Sequence, residues 1–316
     1  MLKLLRNPAA RLSVQVGVSV GILWMLLRNA QWEVVWGVLT SGSPLLLVAA
    51  MAVKLLSLII HEWRLWLALP QPRPALLKVI SVGVVAGVLN LILPARGGDV
   101  AAIAMLDRDC SVPPPTSTAA IGVTSFLEAA LFAAFLMAVL GLGAAQWTEI
   151  TGSEQNPVLW IAGALGLGVA GLTTIAAVGR RLRERPVPSS SILALIRQTF
   201  VQIAGMVGSS RYLFVHSIAA VLQVVMVVAS FSIALVAVTS TVDAPITAAS
   251  MVLAASSLAA FVLPPTMAAG PAAACSLVLP HFGVDAAGAL AYATVYWAVA
   301  HLPALGLGLP AIFARR

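Results

Sequence analysis

The chain has 316 residues, 60% of them hydrophobic and 9% charged, with a formal net charge of +7; its mean hydropathy is +1.01. A soluble domain carries roughly 25% charge, so these figures exclude a soluble catalytic domain and define an all-α polytopic membrane protein with small loops. Apolar runs of about 20 residues suit helices crossing a ~30 Å hydrocarbon core, and the alternating pattern of a membrane barrel is missing.

The N-terminus, Met1 to Arg11, is basic. The run Leu12 to Leu27 is long, lacks a small-residue cleavage site and ends at Arg28. We therefore expect a retained first helix over 12–29 rather than a cleaved signal peptide. Trp32 and Trp36 mark a short amphipathic piece at the interface, as aromatic belts do. Further spanning helices are predicted over 44–69, 116–141, 158–178, 213–238 and 286–312. Residues 76–93 are too few and too interrupted to read as a span, and 192–207 form a short apolar stretch.

Two interruptions organise the rest. Asn90-Leu91-Ile92-Leu93-Pro94-Ala95-Arg96-Gly97-Gly98-Asp99 cannot continue as a helix. Pro94 removes a backbone donor and disfavours a helical Leu93, and Gly97-Gly98 frees the backbone to turn. Leu263-Pro264-Pro265 to Gly270-Pro271 is a second such break, between 246–263 and 271–280. In a membrane, non-helical backbone survives only inside protein or beside a wet cavity, and such breaks mark binding sites in transporters.

Lysine and arginine set the orientation. Six spans with two non-crossing broken hairpins put Lys3, Arg6, Arg11, Arg64, Arg73, Lys78, Arg180, Arg181, Arg183, Arg185, Arg315 and Arg316 on one side. The segments with Glu149, Glu154 and Asp243 fall on the other side and carry no lysine or arginine. Both termini are then cytoplasmic, in a bacterial inner membrane. The basic residues act as topology signals and contacts for anionic headgroups, so nucleic acid is not an expected partner. The two hairpins enter from opposite sides, one in each half. That pattern suits an inverted repeat, with halves of about 1–157 and 158–316 inside a single transmembrane domain and a site between the broken elements.

Charges inside a membrane are expensive and are functional candidates. Arg96 suits a phosphate and Asp99 a cationic group, or the two pair at the surface; the Gly-Gly turn brings backbone amides to the same place. Glu128 lies about 12 residues into its helix, near mid-bilayer at ~1.5 Å per residue, with Thr124 one turn earlier on the same face. It reads as a headgroup contact or proton-sensitive carboxylate, or as a structural hydrogen-bonder. Lys54, Ser57, His61 and Arg64 recur at helical spacing. In that stripe Arg64 reads as a snorkelling anchor, and Lys54 as a partner for Glu128 or a structural charge. His216, His281, His301, Tyr292 and Tyr296 read as packing residues. Cys110 and Cys275 start from opposite sides, so neither a disulfide nor a metal site is expected. There is no phosphate-binding glycine loop, no paired-histidine zinc helix and no nucleophile-histidine-acid set, so no cofactor is expected.

The ordered motifs resemble the transmembrane domain of the lysylphosphatidylglycerol synthase/flippase family. Glu62-Trp63-Arg64-Leu65-Trp66 is similar to its Arg-Trp signature. Asn90 to Asp99 resembles the Asn…Leu-Pro-Gly-Arg-x-Gly-Glu motif, with Asp99 at the acid. Glu128 falls at the family's Glu-Arg-x-x-Asp, Leu263 to Gly270 is similar to the late Pro…Gly-Gly-x-Gly segment, and Gly283-Val284 resembles the Gly-Val after it. Ala102, Ala129, Phe132 and Ala273 stand where the family has charged residues, a thinner network that suits a less charged lipid. In the large members aminoacyl transfer resides in a soluble C-terminal domain. This chain stops at Arg316, so the resemblance implies lipid translocation or binding rather than lysine transfer.

The expected substrate-binding set is Asn90, Arg96, Gly98, Asp99, Glu128, Lys54 and Gly270, with no catalytic residue. The expected partners are a membrane lipid as substrate and enzymes of lipid biosynthesis, and the resemblance extends to stand-alone members associated with hopanoid biosynthesis, a type to which this chain could belong. Two other readings stay open: an integral-membrane lipid-modifying enzyme using Asp99, or a non-catalytic scaffold.

Overall fold

The computed structural model describes residues 24, 32–92, 97–142, 157–184, 191–239, 242–262 and 269–313. Among these every regular element is helical: α1 (Trp32–Ser41), α2 (Pro44–Ala68), α3 (Leu76–Ile92), α4 (Gly97–Cys110), α5 (Pro114–Leu142), α6 (Pro157–Arg183), α7 (Ser191–Val207), α8 (Ser210–Val238), α9 (Pro245–Val262), α10 (Ala269–Val278), a 3-10 turn (Leu279–Phe282) and α11 (Ala286–Phe313). Five of them, α2, α5, α6, α8 and α11, are long and apolar enough to cross a membrane. They correspond to five of the six predicted spans. The sixth, 12–29, lies outside the described residues, as do the breaks at 93–96 and 263–268 and the acidic segment 146–156. Exposed Leu45, Leu159, Leu167, Ile192 and Phe214 make no sense against water but suit a lipid solvent. The chain is a multi-pass membrane protein.

Local chemistry explains the boundaries. Prolines 44, 114, 157 and 245 open helices, where a missing N–H leaves nothing unsatisfied. Side-chain caps precede two of the spans. Ser43 Oγ accepts from Leu46 N at 3.5 Å before α2, and Ser209 Oγ accepts from Tyr212 N at 3.2 Å before α8. A basic side chain closes the end of α2, where it satisfies terminal carbonyls. Arg73 donates to Leu69 O at 3.3 Å and to Leu67 O at 3.1 Å. The Arg73 guanidinium also lies 4.9 Å from the Trp66 ring centroid, while Trp66 Nε1 donates to Pro74 O at 2.8 Å. Arg73, a topology charge by its place in the sequence, is thus also a helix cap. Likewise α6 continues to Arg183, so Arg180, Arg181 and Arg183 sit in its last turn and complement the helix dipole.

The chain forms two compact units. One comprises Met1–Lys54, Val139–Gln155 and Val227–Pro303. Its described core is small and apolar along α9 and α10, with Ala248, Met251, Val252, Ala274 and Cys275 buried. Tyr292 on α11 is buried and donates to Phe231 O at 2.9 Å, and Tyr296 stacks on Phe231 at 4.1 Å, consistent with packing roles. Gly283, at φ 76°, makes the left-handed turn into α11, a conformation glycine adopts without steric cost. Asp285 caps that helix by accepting from Gly288 N at 2.7 Å.

The other unit comprises Leu55–Ala138, Asn156–Met226 and Ala304–Arg316. Its core gathers Leu65, Leu69, Val79, Val82, Ala102, Leu106 and Ala120 from α2, the residue after it, α3, α4 and α5. α4 ends at a left-handed Ser111, with φ 54°. Val112 N then donates back to Leu106 O at 3.1 Å, which satisfies a carbonyl of the last turn. α6 and α7 pack closely, because a Cβ at Gly179 would run into the Phe200 carbonyl.

Candidate functional site

The organising stretch survives on either side of residues 93–96. Asn90, in the last turns of α3, donates Nδ2 to Asp99 Oδ1 at 2.8 Å and accepts from Gly98 N on its Oδ1 at 2.8 Å. One amide therefore ties the end of α3 to the start of α4 and satisfies a helix N-terminal donor. Asp99 lies in the first turn of α4, where the helix dipole favours a carboxylate. Gly98 is buried, and a Cβ there would collide with the Ala86 carbonyl. Asn90→Ala should leave the Gly98 N–H and Asp99 short of a partner. The expected loss is about 1–3 kcal/mol of stability, read as a lower unfolding temperature in detergent.

Deeper in the same unit three helices converge on Glu128, midway along the 29-residue α5. His61 Nδ1 lies 2.9 Å from Glu128 Oε2, and Gln223 Nε2 on α8 donates to Glu128 Oε1 at 2.8 Å. Arg64 stands behind them. Its Nη1 donates to Gln223 Oε1 at 2.6 Å and lies 3.6 Å from Glu128 Oε2, and its Nη2 donates to Thr124 O at 3.1 Å. The Gln223 amide is oriented to accept from the arginine and donate to the acid. The Arg64 side chain is 0% exposed, whereas His61 and Glu128 keep 36% and 32% of their side-chain surface uncovered. The cluster therefore has a dry cationic back and an accessible front made of an imidazole and a carboxylate.

Spacing along each helix builds this arrangement. His61 and Arg64 are three apart on α2, and Thr124 and Glu128 four apart on α5, so each pair shares a face. Arg64 is not a snorkelling anchor. Leu65, Ala68 and Leu69 pull the end of α2 into the apolar core, and the guanidinium goes with it. Gln223 was missed because attention to ionisable groups passes over an amide. Its signal was that it is the only amide in the apolar run 213–238. On the same helix His216 is buried as expected and stacks on Tyr212 at 4.0 Å.

Of the predicted set, Asn90, Gly98 and Asp99 meet at the α3–α4 junction, Glu128 joins the His61 cluster, and all four belong to one unit. Lys54 and Gly270 belong to the other. Lys54 Nζ lies 5.9 Å from the Phe231 ring centroid, within cation–π range. Gly270 brings α10 against Ala259 of α9, where a Cβ would make an ordinary 3.4 Å contact. Arg96 lies outside the described residues. Among those residues no group of three or more histidines, cysteines or acids could hold a metal ion.

Fold and site together define a polytopic helical membrane protein with a charged cluster at mid-span, open on one face. The chain belongs to the lysylphosphatidylglycerol synthase TM region family, whose model matches residues 12–308. It is thereby a membrane protein related to lipid handling. No curated protein and no solved structure gives a match.

Proposed function

We propose that the chain binds a membrane lipid by its headgroup at His61 and Glu128 and carries it across the bacterial inner membrane, as a flippase does. One observation carries the reading: a carboxylate halfway along an apolar spanning helix, a third uncovered, with its counter-charge Arg64 held dry behind it. A purely structural ion pair would gain from closing that face, since an ionic side chain turned towards hydrocarbon is expensive. An acceptor oxygen on Glu128 and a ring nitrogen on His61 suit a headgroup bearing hydroxyl or amine donors more than a multiply charged anion.

Chain order supports the same reading. The sequence span, α3/α4 pair, span in α2 to α5 recurs as α8, α9/α10 and α11. Each is preceded by a short helix, α1 in one case and α7 in the other. With three crossings per half the second copy would be inverted, the plan of carriers that alternate access. Arg73, Lys78, Arg180, Arg181 and Arg183 would then lie on the cytoplasmic side with both termini.

The test is reconstitution into phosphatidylethanolamine/phosphatidylglycerol vesicles with NBD-labelled phosphatidylglycerol or phosphatidylethanolamine, read by quenching from outside. Wild-type protein should expose the inner-leaflet probe. Glu128→Gln should slow this by tenfold or more, about what loss of one charge-assisted contact of roughly 1.5–3 kcal/mol gives. Equal rates for folded wild type and variant would refute the site.

A further inference from the structure

Glu62 is the one acid of α2 beside the cluster, and it takes no part in the front face. It lies one residue after His61, about 100° further round the helix, and is 3% exposed. Its carboxyl occupies a place cut for it in α3: a Cβ on Gly83 would collide with that carboxyl. Yet its Oε2, fully buried, has no hydrogen-bond partner among the described residues. A buried carboxylate ordinarily collects donors, because an ionised oxygen without them is expensive. A space shaped for a carboxyl but poor in donors suits the neutral acid.

Two neighbouring carboxylates point the same way, against a His61 ring that favours the ionised form when it is charged. From its own helix His61 acts on Glu62, from α4 Asp99, and from α5 Glu128, while α3 faces it with Gly83. Arg64 lies one helical face away and is committed to Gln223, Thr124 and Glu128. Two neighbouring carboxylates oppose a third negative charge.

We propose that Glu62 is a proton-binding site coupled to the lipid site, so that the headgroup and a proton exchange for one another. This rests on the proposed headgroup contact at Glu128. A donor-bearing headgroup at Glu128 withdraws negative charge from the neighbourhood of Glu62. The Glu62 O–H bond then breaks, the proton bonds to the lone pair of a neutral His61 ring nitrogen, and the imidazolium so formed gives a proton to water from its uncovered edge. By linkage the exchange is reciprocal: protonation of Glu62 favours release of the headgroup. The chain would thus draw on a proton gradient.

Two measurements test this separately. In infrared difference spectra of detergent-solubilised protein at neutral pH, wild type should show the carbonyl band of a protonated carboxyl. That band should move on isotope labelling of glutamate carboxyls and vanish in Glu62→Gln. No labelled band in wild type, which needs no variant to fold, or a band that survives in Glu62→Gln would overturn the assignment. In the vesicles above, the rate of NBD-phosphatidylglycerol movement should change with the sign of an imposed pH gradient for wild type and lose that dependence in Glu62→Gln. A variant that responds to the gradient as wild type does would overturn the coupling. If wild type moves no labelled lipid, transport fails while the infrared band still decides the proton site.

Discussion

Arg64→Ala is expected to cost about 3 kcal/mol of folded stability, the low end of the range for removing one partner of a buried charge pair, because Glu128 keeps a third of its side chain uncovered. The substitution strips a donor from Gln223 Oε1 and from Thr124 O, and it leaves Glu128 with its counter-charge gone. It also opens a cavity where the largest fully buried side chain among the described residues stood. The loss should appear as a collapse of monodisperse protein in mild detergent and a sharp fall in unfolding temperature. Replacing both charges, as Arg64→Met with Glu128→Met, should restore much of the stability, since an apolar pair of similar volume avoids the desolvation cost. That double variant should nonetheless fail to move lipid. Stability recovered without function separates the two roles of the cluster. A double variant as unstable as Arg64→Ala would mean that the arginine acts through its packing alone.

Gly98→Ala is expected to break the junction of α3 and α4. The new methyl group would meet the Ala86 carbonyl and the Asn90 side chain, so either α4 shifts or Asn90 gives up its bonds to Gly98 N and Asp99. Overpacking of this kind costs about 1–3 kcal/mol, and loss of the Asn90 clamp adds to it. An alanine at Gly87, one residue from Ala86, meets nothing within 4 Å and should cost little. Unfolding temperatures of the two variants in the same detergent check the contrast. A Gly98→Ala protein as stable as Gly87→Ala would show that the close approach is not needed.

The helical plan was legible because each span is a long apolar run opened by a recognisable residue. Pro44, Pro114 and Pro157 can be read directly as helix starts, and the fifth predicted span ends with α8 at Val238. That one helix ends by Ile92 and another starts at Gly97 was legible too, since proline and paired glycines announce an interruption wherever they occur. The asparagine's double contact was not: it depends on α4 turning back to place Gly98 N beside it, which no spacing rule supplies. Arg64 shows the opposite failure. Position near a helix end suggested an anchor, but a terminal residue is exposed only if its end of the helix is, and Leu65 and Leu69 bury this one. Glu62 read only as part of a motif, because its environment depends on Gly83 in another helix.

The most direct test of lipid binding at Glu128 is to purify the protein gently from its native membrane and identify the retained lipids by mass spectrometry, beside Glu128→Gln handled identically. Expected is one lipid class enriched on the wild type well above its share of the membrane and reduced to that share on the variant. The same bulk lipid mixture on both proteins, each folded and monodisperse, would contradict a headgroup site at His61 and Glu128.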